Sequence, residues 1–213
     1  MNRIFRLACI AAIVLLTTVA CENVFTTSPY AGLRRDLSTM SLAQRQNFAR
    51  EALASGNIED AKSAFDALIE SADGSTDAEL NLLLVELGIQ ASGVPGVIPD
   101  LLALATSGDF SDEDALTGVL EGFLDQIDPY YANGAYEQLK QAKDNGGTVT
   151  EEQYLFVGVG FILGTVKDAE AESIDDLDPD DLDEIKDFLE DAIADLGTEN
   201  GILSSMLEYV NGL

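Results

Sequence analysis

Helix start and stop signals recur at short intervals after residue 40, and they constrain the fold more than any other feature of the chain. Asp128 and Asp178 each precede a proline, which suits the first position of a helix. Most of the segments that begin at such a start signal are followed by a glycine, which favours a helix end. Three pairs have capping-box spacing: Ser41 with Gln44, Thr76 with Glu79, and Thr150 with Gln153.

Between these signals, apolar residues recur at helical spacing, and no segment alternates apolar and polar residues over the length of a strand. The short connections favour antiparallel helix hairpins. We therefore predict an all-α domain over residues 41–213. Its nine predicted helices are 42–55, 58–71, 77–92, 96–106, 112–126, 129–143, 151–170, 179–196 and 199–211.

The first two predicted helices carry a more specific pattern, at Ala49, Gly56, Ile58, Ala61, Phe65 and Leu68. It resembles one tetratricopeptide (TPR) repeat, a unit of about 34 residues with small residues at its helix contact. The chain departs from that family at Arg45, where a large aromatic is usual, and at Asp73, where proline is usual. The resemblance implies a TPR-like α-solenoid. A compact helical bundle is the alternative.

The charge of the chain excludes one class of partner. Its formal net charge is −28, and the only cations beyond residue 50 are lysines. Nucleic-acid binding requires clustered lysine and arginine, which the acidic chain lacks. Anionic lipid headgroups would also repel its acidic surface. A cationic protein partner or divalent cations would be attracted. Adaptation of the surface to high salt is the alternative explanation of the acidity.

Residues that support catalysis are scarce. The chain has no histidine, which excludes the Ser-His-Asp and Cys-His systems and removes the commonest general base. No glycine-rich phosphate loop is present. We therefore expect neither enzymatic activity nor a cofactor.

One acidic run imitates a calcium-binding loop. Asp176, Asp178, Asp180 and Asp187 fall at loop positions 1, 3, 5 and 12 of an EF-hand. Position 6, however, is Asp181, where the sharp turn requires glycine. Because Pro179 suits a helix start, the run is better explained as the acidic first turn of a helix.

The N-terminus has the organisation of an export signal. Arg3 and Arg6 precede the apolar run Leu7–Val19, which is shorter than the roughly 20 residues of a spanning helix. The sequence Thr-Val-Ala that precedes Cys21 resembles the lipobox of bacterial lipoproteins, although Thr18 replaces the usual leucine. The resemblance implies a signal peptide over 1–20, a lipid thioether on Cys21 and a tether over 21–40. A secretory signal without lipid would leave Cys21 as a lone thiol.

These features predict a lipid-anchored helical protein of the bacterial cell envelope that binds a protein partner without catalysis. The membrane contact would be the lipid on Cys21, and the choice between inner and outer membrane stays open. The alternative is a ligand-binding accessory lipoprotein of a transporter, similar in architecture to the accessory lipoproteins of TRAP transporters. Its apolar pocket would lie near Leu82–Ile98 or Tyr154–Val166.

Overall fold

The computed structural model describes residues 37–107, 122–171, 173–196 and 201–212. Across these ranges every regular element is helical, which confirms the all-α prediction. Contacts divide the chain into two units, Met1–Met40 and Ser41–Leu213. In the first unit, Leu37–Thr39 form one turn of 3₁₀ helix. The predicted signal peptide, Cys21 and residues 21–36 of the predicted tether lie outside the described residues.

The second unit contains nine helices within its described residues, as predicted. Residues 112–121 of the fifth predicted helix lie outside those residues. A short 3₁₀ turn, Ile174–Asp176, precedes the helix that begins at Pro179. The helices are α1 Leu42–Ser55, α2 Ile58–Ala72, α3 Ala78–Ala91, α4 Val94–Ser107, α5 at 122–126, α6 Pro129–Asp144, α7 Glu151–Asp168, α8 Pro179–Leu196 and α9 Gly201–Asn211.

Local hydrogen bonds explain where several helices begin. The capping boxes at Ser41 and Thr150 are both formed, with each backbone N–H donating to a glutamine Oε1 at 3.0 Å. The predicted box at Thr76 is wrong. The carboxylate of Asp77 instead accepts from the N–H groups of Glu79 and Leu80, so α3 begins one residue later, at Ala78.

The helices pack in an order that follows the chain, with one interruption. Extensive contacts join α1 to α2, α2 to α3, α6 to α7 and α8 to α9, and fewer contacts join α7 to α8. The interruption is that α3 packs against α6, with α4 and α5 between them in sequence. Further contacts join α1 to α3 and α3 to α7. Contacts between near neighbours are typical of stacked helix hairpins. The helices α4 and α5 form an insertion between α3 and its packing partner α6.

The buried side chains form three clusters rather than one. The first joins α1, α2 and α3 with Tyr131 of α6, and the second joins α3 with α6, α7, α8 and α9. The third holds the insertion in place, because Val94, Val97 and Phe123 pack on Ala132 of α6 and Leu163 of α7. The helix α3 contributes to two of these clusters and α6 to all three, so they connect the ends of the helical unit.

Glycines bring helix backbones close together. A Cβ on Gly88 of α3 would lie 2.8 Å from the Cβ of Ala135. On α7, a Cβ on Gly160 would lie 2.8 Å from Val94, and one on Gly164 would lie 3.3 Å from the Cβ of Ala132. The spacing of Gly160 and Gly164 therefore serves helix packing inside the unit.

Among the described residues, no single helix combines the length and hydropathy needed to cross a membrane. The pair Ala78–Ser92 and Val94–Leu101 meets the criteria only together, with a bend of 67° between the two helices.

Candidate docking groove between α6 and α8

An open groove of about 400 Å³ separates α6 from α8, with Tyr154 of α7 at its base. Both walls carry charged side chains because each helix turns its apolar face toward α7 and its polar face toward the groove. The lining residues are Tyr136, Leu139, Lys140, Lys143, Tyr154, Asp180, Asp183, Glu184, Asp187, Phe188 and Asp191.

Packed aromatic rings form the base of the groove. Tyr136 of α6 stacks on Phe161 of α7, with ring centroids 3.9 Å apart and an angle of 13°. Phe188 of α8 meets the ring of Tyr136 edge-on at 5.5 Å and lies 6.2 Å from that of Tyr154. Contacts of this kind favour fixed ring positions. The three helices around the groove are therefore held by one aromatic cluster.

One set of polar contacts crosses the groove near Glu184. Tyr136 donates its hydroxyl proton to Glu184 Oε1 at 3.0 Å. Burial and the nearby Glu184 raise the pKa of Tyr136, so this hydroxyl stays protonated and donates. The ammonium of Lys140 lies 3.6 Å from Glu184 and 4.7 Å from the centre of the Tyr136 ring. A cation here contacts both a carboxylate and an aromatic face.

A second set of contacts lies one turn further along α6. Lys143 Nζ is 2.7 Å from Asp195 Oδ2 and 3.5 Å from Asp191 Oδ2, and Tyr154 also donates to Asp195. Hydrogen bonds from Lys143 and Tyr154 lower the pKa of Asp195. Burial disfavours the Lys143 ammonium, but Asp195 and Asp191 outweigh that effect and raise its pKa. Burial and the bond to Asp195 raise the pKa of Tyr154 to about 12.

The wall formed by α8 keeps an excess of negative charge. Five carboxylates line the groove against two lysine ammoniums. Asp180, Asp183 and Asp187 lie on one face of α8, at positions i, i+3 and i+7. In the described part of the chain, no lysine or arginine forms an ion pair with any of these three.

A second cavity, of about 390 Å³, adjoins the first and shares Tyr136 and Glu184 with it. Asp181 lines it, and burial together with the neighbouring carboxylates raises the pKa of that residue. Its other lining residues are Asn133, Glu137, Phe161, Thr165, Asp168 and Ala169. The two cavities extend the opening between α6 and α8 toward the start of α6.

The corresponding space between α2 and α6 is filled. Phe65 of α2 packs edge-on against Tyr131 of α6, with centroids 5.4 Å apart. Tyr131 donates to Asp66 at 3.2 Å, and Lys62 Nζ lies 2.8 Å from Asp128 Oδ2. Because the carboxylate of Asp128 pairs with Lys62, it makes no capping hydrogen bond at the start of α6. Of these two spaces, only that between α6 and α8 is open.

The TPR-like residues come together at the α1–α2 contact, with one exception. Gly56 ends α1 in the left-handed conformation, at φ 67°. Ile58 is 45% exposed and contributes nothing to the core. Arg45, at the position of the usual aromatic, donates from Nη1 to the carbonyl of Ala67 near the end of α2. The core positions of the motif are all buried: Ala49, Ala61, Phe65 and Leu68.

The calcium-loop arrangement of Asp176, Asp178, Asp180 and Asp187 does not form. Asp178 Oδ1 caps α8 by accepting from the N–H groups of Asp180 and Asp181 at 3.0 Å, and Asp176 accepts from Ser173. Asp180 and Asp187 both lie on α8 and face the groove. No group of three or more acidic or cysteine side chains in the described ranges is arranged to hold a metal ion.

The helices expected to line an apolar ligand pocket are packed against each other instead. Side chains of Leu82–Ile98 and Tyr154–Val166 belong to the clusters described above. Leu84, Val85 and Leu87 have no exposed surface, and Tyr154 and Val157 are each 1% exposed.

The sequence alone does not single out the groove residues Tyr136, Lys140, Asp183 and Glu184. The available signal was the helical spacing of the acids on α8, at positions 180, 183, 187 and 191. That spacing places them on one face but does not indicate which helix lies opposite.

No protein-family description, curated protein or solved structure matches the chain significantly.

Proposed function

We propose that the protein is a non-enzymatic interaction module of the bacterial cell envelope, anchored by lipid on Cys21, which binds a protein partner in the groove between α6 and α8. The observation that carries this proposal is the open groove. Its α8 wall holds three aspartates, Asp180, Asp183 and Asp187, that form no ion pair with a lysine or arginine of the described residues. Stacked helix hairpins commonly present such surfaces to other proteins. A charged groove of this kind favours a protein segment over an apolar small molecule.

The transporter-accessory alternative requires an apolar cavity for a small ligand. The groove exceeds roughly 300 Å³, the lower size of such sites, but charged side chains dominate its walls. The groove geometry therefore favours the interaction module.

Cross-linking in the native host tests the proposed partner site. A photoreactive residue replaces Asp183 in the groove and, as the control, Glu70 on the exposed side of α2. We expect a cross-linked protein from position 183 that is absent from position 70. Equal or absent cross-linking at the two positions would contradict the groove as the binding site.

Detergent partitioning tests the anchor separately. The full-length protein should enter the detergent phase, and Cys21→Ala should remain in the aqueous phase, because two or more acyl chains give stable anchoring. Partitioning of the variant like that of the wild type would contradict lipidation at Cys21 and leave the groove proposal intact.

A further inference from the structure

We infer that the α6–α8 groove binds a cationic helix whose arginines lie along one face. This inference rests on the proposed function and specifies the class of partner. The supporting juxtaposition is an open space beside α8, a row of carboxylates along its wall and an aromatic cluster at its base. The partner is a helical segment of another protein.

The spacing of the carboxylates favours a helix over an extended segment. Asp180, Asp183 and Asp187 recur at the pitch of α8, and the wall from Asp180 to Asp191 is about 16 Å long at 1.5 Å per residue. A helix lying alongside α8 repeats its own side chains at the same pitch, so three turns align with the row. An extended segment repeats same-face side chains about every 6.7 Å and loses that alignment.

The chain's own lysines show how a cation lies in this groove. Lys140 contacts the carboxylate of Glu184 while its ammonium lies 4.7 Å from the centre of the Tyr136 ring. Lys143 combines Asp195 with the ring of Tyr154, 5.7 Å away, in the same manner. Arginine suits such a combination better than lysine, because its planar guanidinium pairs with carboxylates and stacks on rings.

A comparison with the filled space between α2 and α6 also supports a partner that supplies arginines. There, aromatic packing and the Lys62–Asp128 pair close the space between helices. At the α6–α8 groove, lysines of α6 reach Glu184, Asp191 and Asp195, whereas Asp180, Asp183 and Asp187 form no ion pair within the part of the chain that the structure describes. A partner that supplies arginines opposite these three aspartates would neutralise their charge.

Two designed peptides of identical composition test the inference on the full-length protein in detergent micelles. Both are helical 18-residue peptides with four arginines. In the first peptide the arginines lie on one face, at positions i, i+4, i+7 and i+11, and in the second they are spread around the helix. Fluorescence anisotropy at 0.15 M NaCl measures the binding of each peptide.

Two charge-matched variants locate the site. Asp183→Asn/Asp187→Asn removes two carboxylates from the groove wall, whereas Glu70→Gln/Glu190→Gln removes two exposed carboxylates that do not line it. We expect the one-face peptide to bind more tightly than the spread peptide. The groove variant should weaken binding about three- to tenfold, since exposed ion pairs contribute modestly. The control variant should change it less than twofold. Far-ultraviolet circular dichroism verifies that both variants keep their helix content.

Equal binding of the two peptides, or equal loss in the two variants, would show diffuse attraction to an acidic surface and overturn the inference. If the peptides fail but the cross-link at position 183 forms, the groove binds a partner of other chemistry and the proposed function stands. If the cross-link also fails, the proposed function fails with it.

Discussion

Asn81 Nδ2 donates a 2.8 Å hydrogen bond to Gln138 Oε1 across the contact between α3 and α6. Both side chains are buried, with exposures of 0% and 4%. The amide of Asn145 completes the network by donating to Asn81 Oδ1 at 3.1 Å and to the carbonyl of Ser75. Because buried amides require partners, only one register of α3 against α6 satisfies all of these groups.

Substitution of Asn81 by alanine should destabilise the protein by about 2–4 kcal/mol, because Gln138 Oε1 loses its donor and the Asn145 amide loses one of its two acceptors. Urea unfolding followed by circular dichroism at 25 °C measures the change. The control is Asn47→Ala on the exposed side of α1, which should stay within about 0.5 kcal/mol of wild type. A loss at Asn81 no larger than that of the control would show that the network contributes nothing.

The close approach of α3 and α6 depends on Gly88. A Cβ at this position would lie 2.8 Å from the Cβ of Ala135 and 2.9 Å from the carbonyl oxygen of Tyr131. Gly88→Ala should therefore destabilise by about 1–3 kcal/mol despite the better helix propensity of alanine. Gly96→Ala on α4 meets nothing within 4 Å and should leave stability unchanged or raise it by up to about 1 kcal/mol. Similar effects of the two substitutions in urea unfolding would contradict the packing argument.

The two preceding predictions concern a contact that the sequence alone does not reveal. Local chemistry predicts the all-α class, the caps at Ser41 and Thr150 and the left-handed end of α1 at Gly56, because the interacting groups are a few residues apart. Asn81 and Gln138 are separated by two other helices, and apolar periodicity shows which face is buried without naming its partner. The groove was missed for the same reason, since Tyr136 and Glu184 belong to helices on either side of α7.

Local competition explains the later start of α3. At the start of α3, Thr76 and Glu79 have the correct spacing, but Asp77 is an equally good cap that satisfies the same backbone groups one residue later. In α2, Ile58 occupies a motif position yet lies 45% exposed.

Lys167 of α7 forms hydrogen bonds to the insertion of α4 and α5. Its ammonium donates to the carbonyls of Leu124 and Ile127, at 2.8 and 2.7 Å, where α5 ends. Lys167→Met should raise amide hydrogen exchange in α5 and cost about 1.5–3 kcal/mol, because hydrogen bonds from a charged donor to helix-end carbonyls are lost. Lys186→Met removes the same charge from a side chain without a hydrogen bond or ion pair in the described ranges, and should change neither quantity. Faster exchange in both variants would indicate a general effect of charge.

The contacts around Asp195 predict a loss of stability in alkali. The pKa of Tyr154 is raised to about 12 in the folded protein, against an ordinary value of 10.0. The unfolded chain therefore releases this proton first, and the free energy of unfolding falls as the pH rises from 10 to 12. The raised pKa of Lys143 acts in the same direction, because its stabilising effect is present below the ordinary value of 10.5 and is lost above it.

Urea unfolding at several values of pH between 9 and 12 tests this account with two variants. In Tyr154→Phe, the free energy of unfolding should decrease less steeply with pH. The slope should differ from that of wild type by up to about 1.4 kcal/mol per pH unit, the contribution of one proton. Asp195→Asn should weaken this dependence on pH further, because Asp195 raises the pKa of both Tyr154 and Lys143 through its hydrogen bonds. Tyr131 and Tyr136 remain in both variants, so the differences in slope report the Asp195 contacts alone. Slopes identical to that of wild type would mean that Tyr154 and Lys143 ionise alike in the folded and unfolded chains.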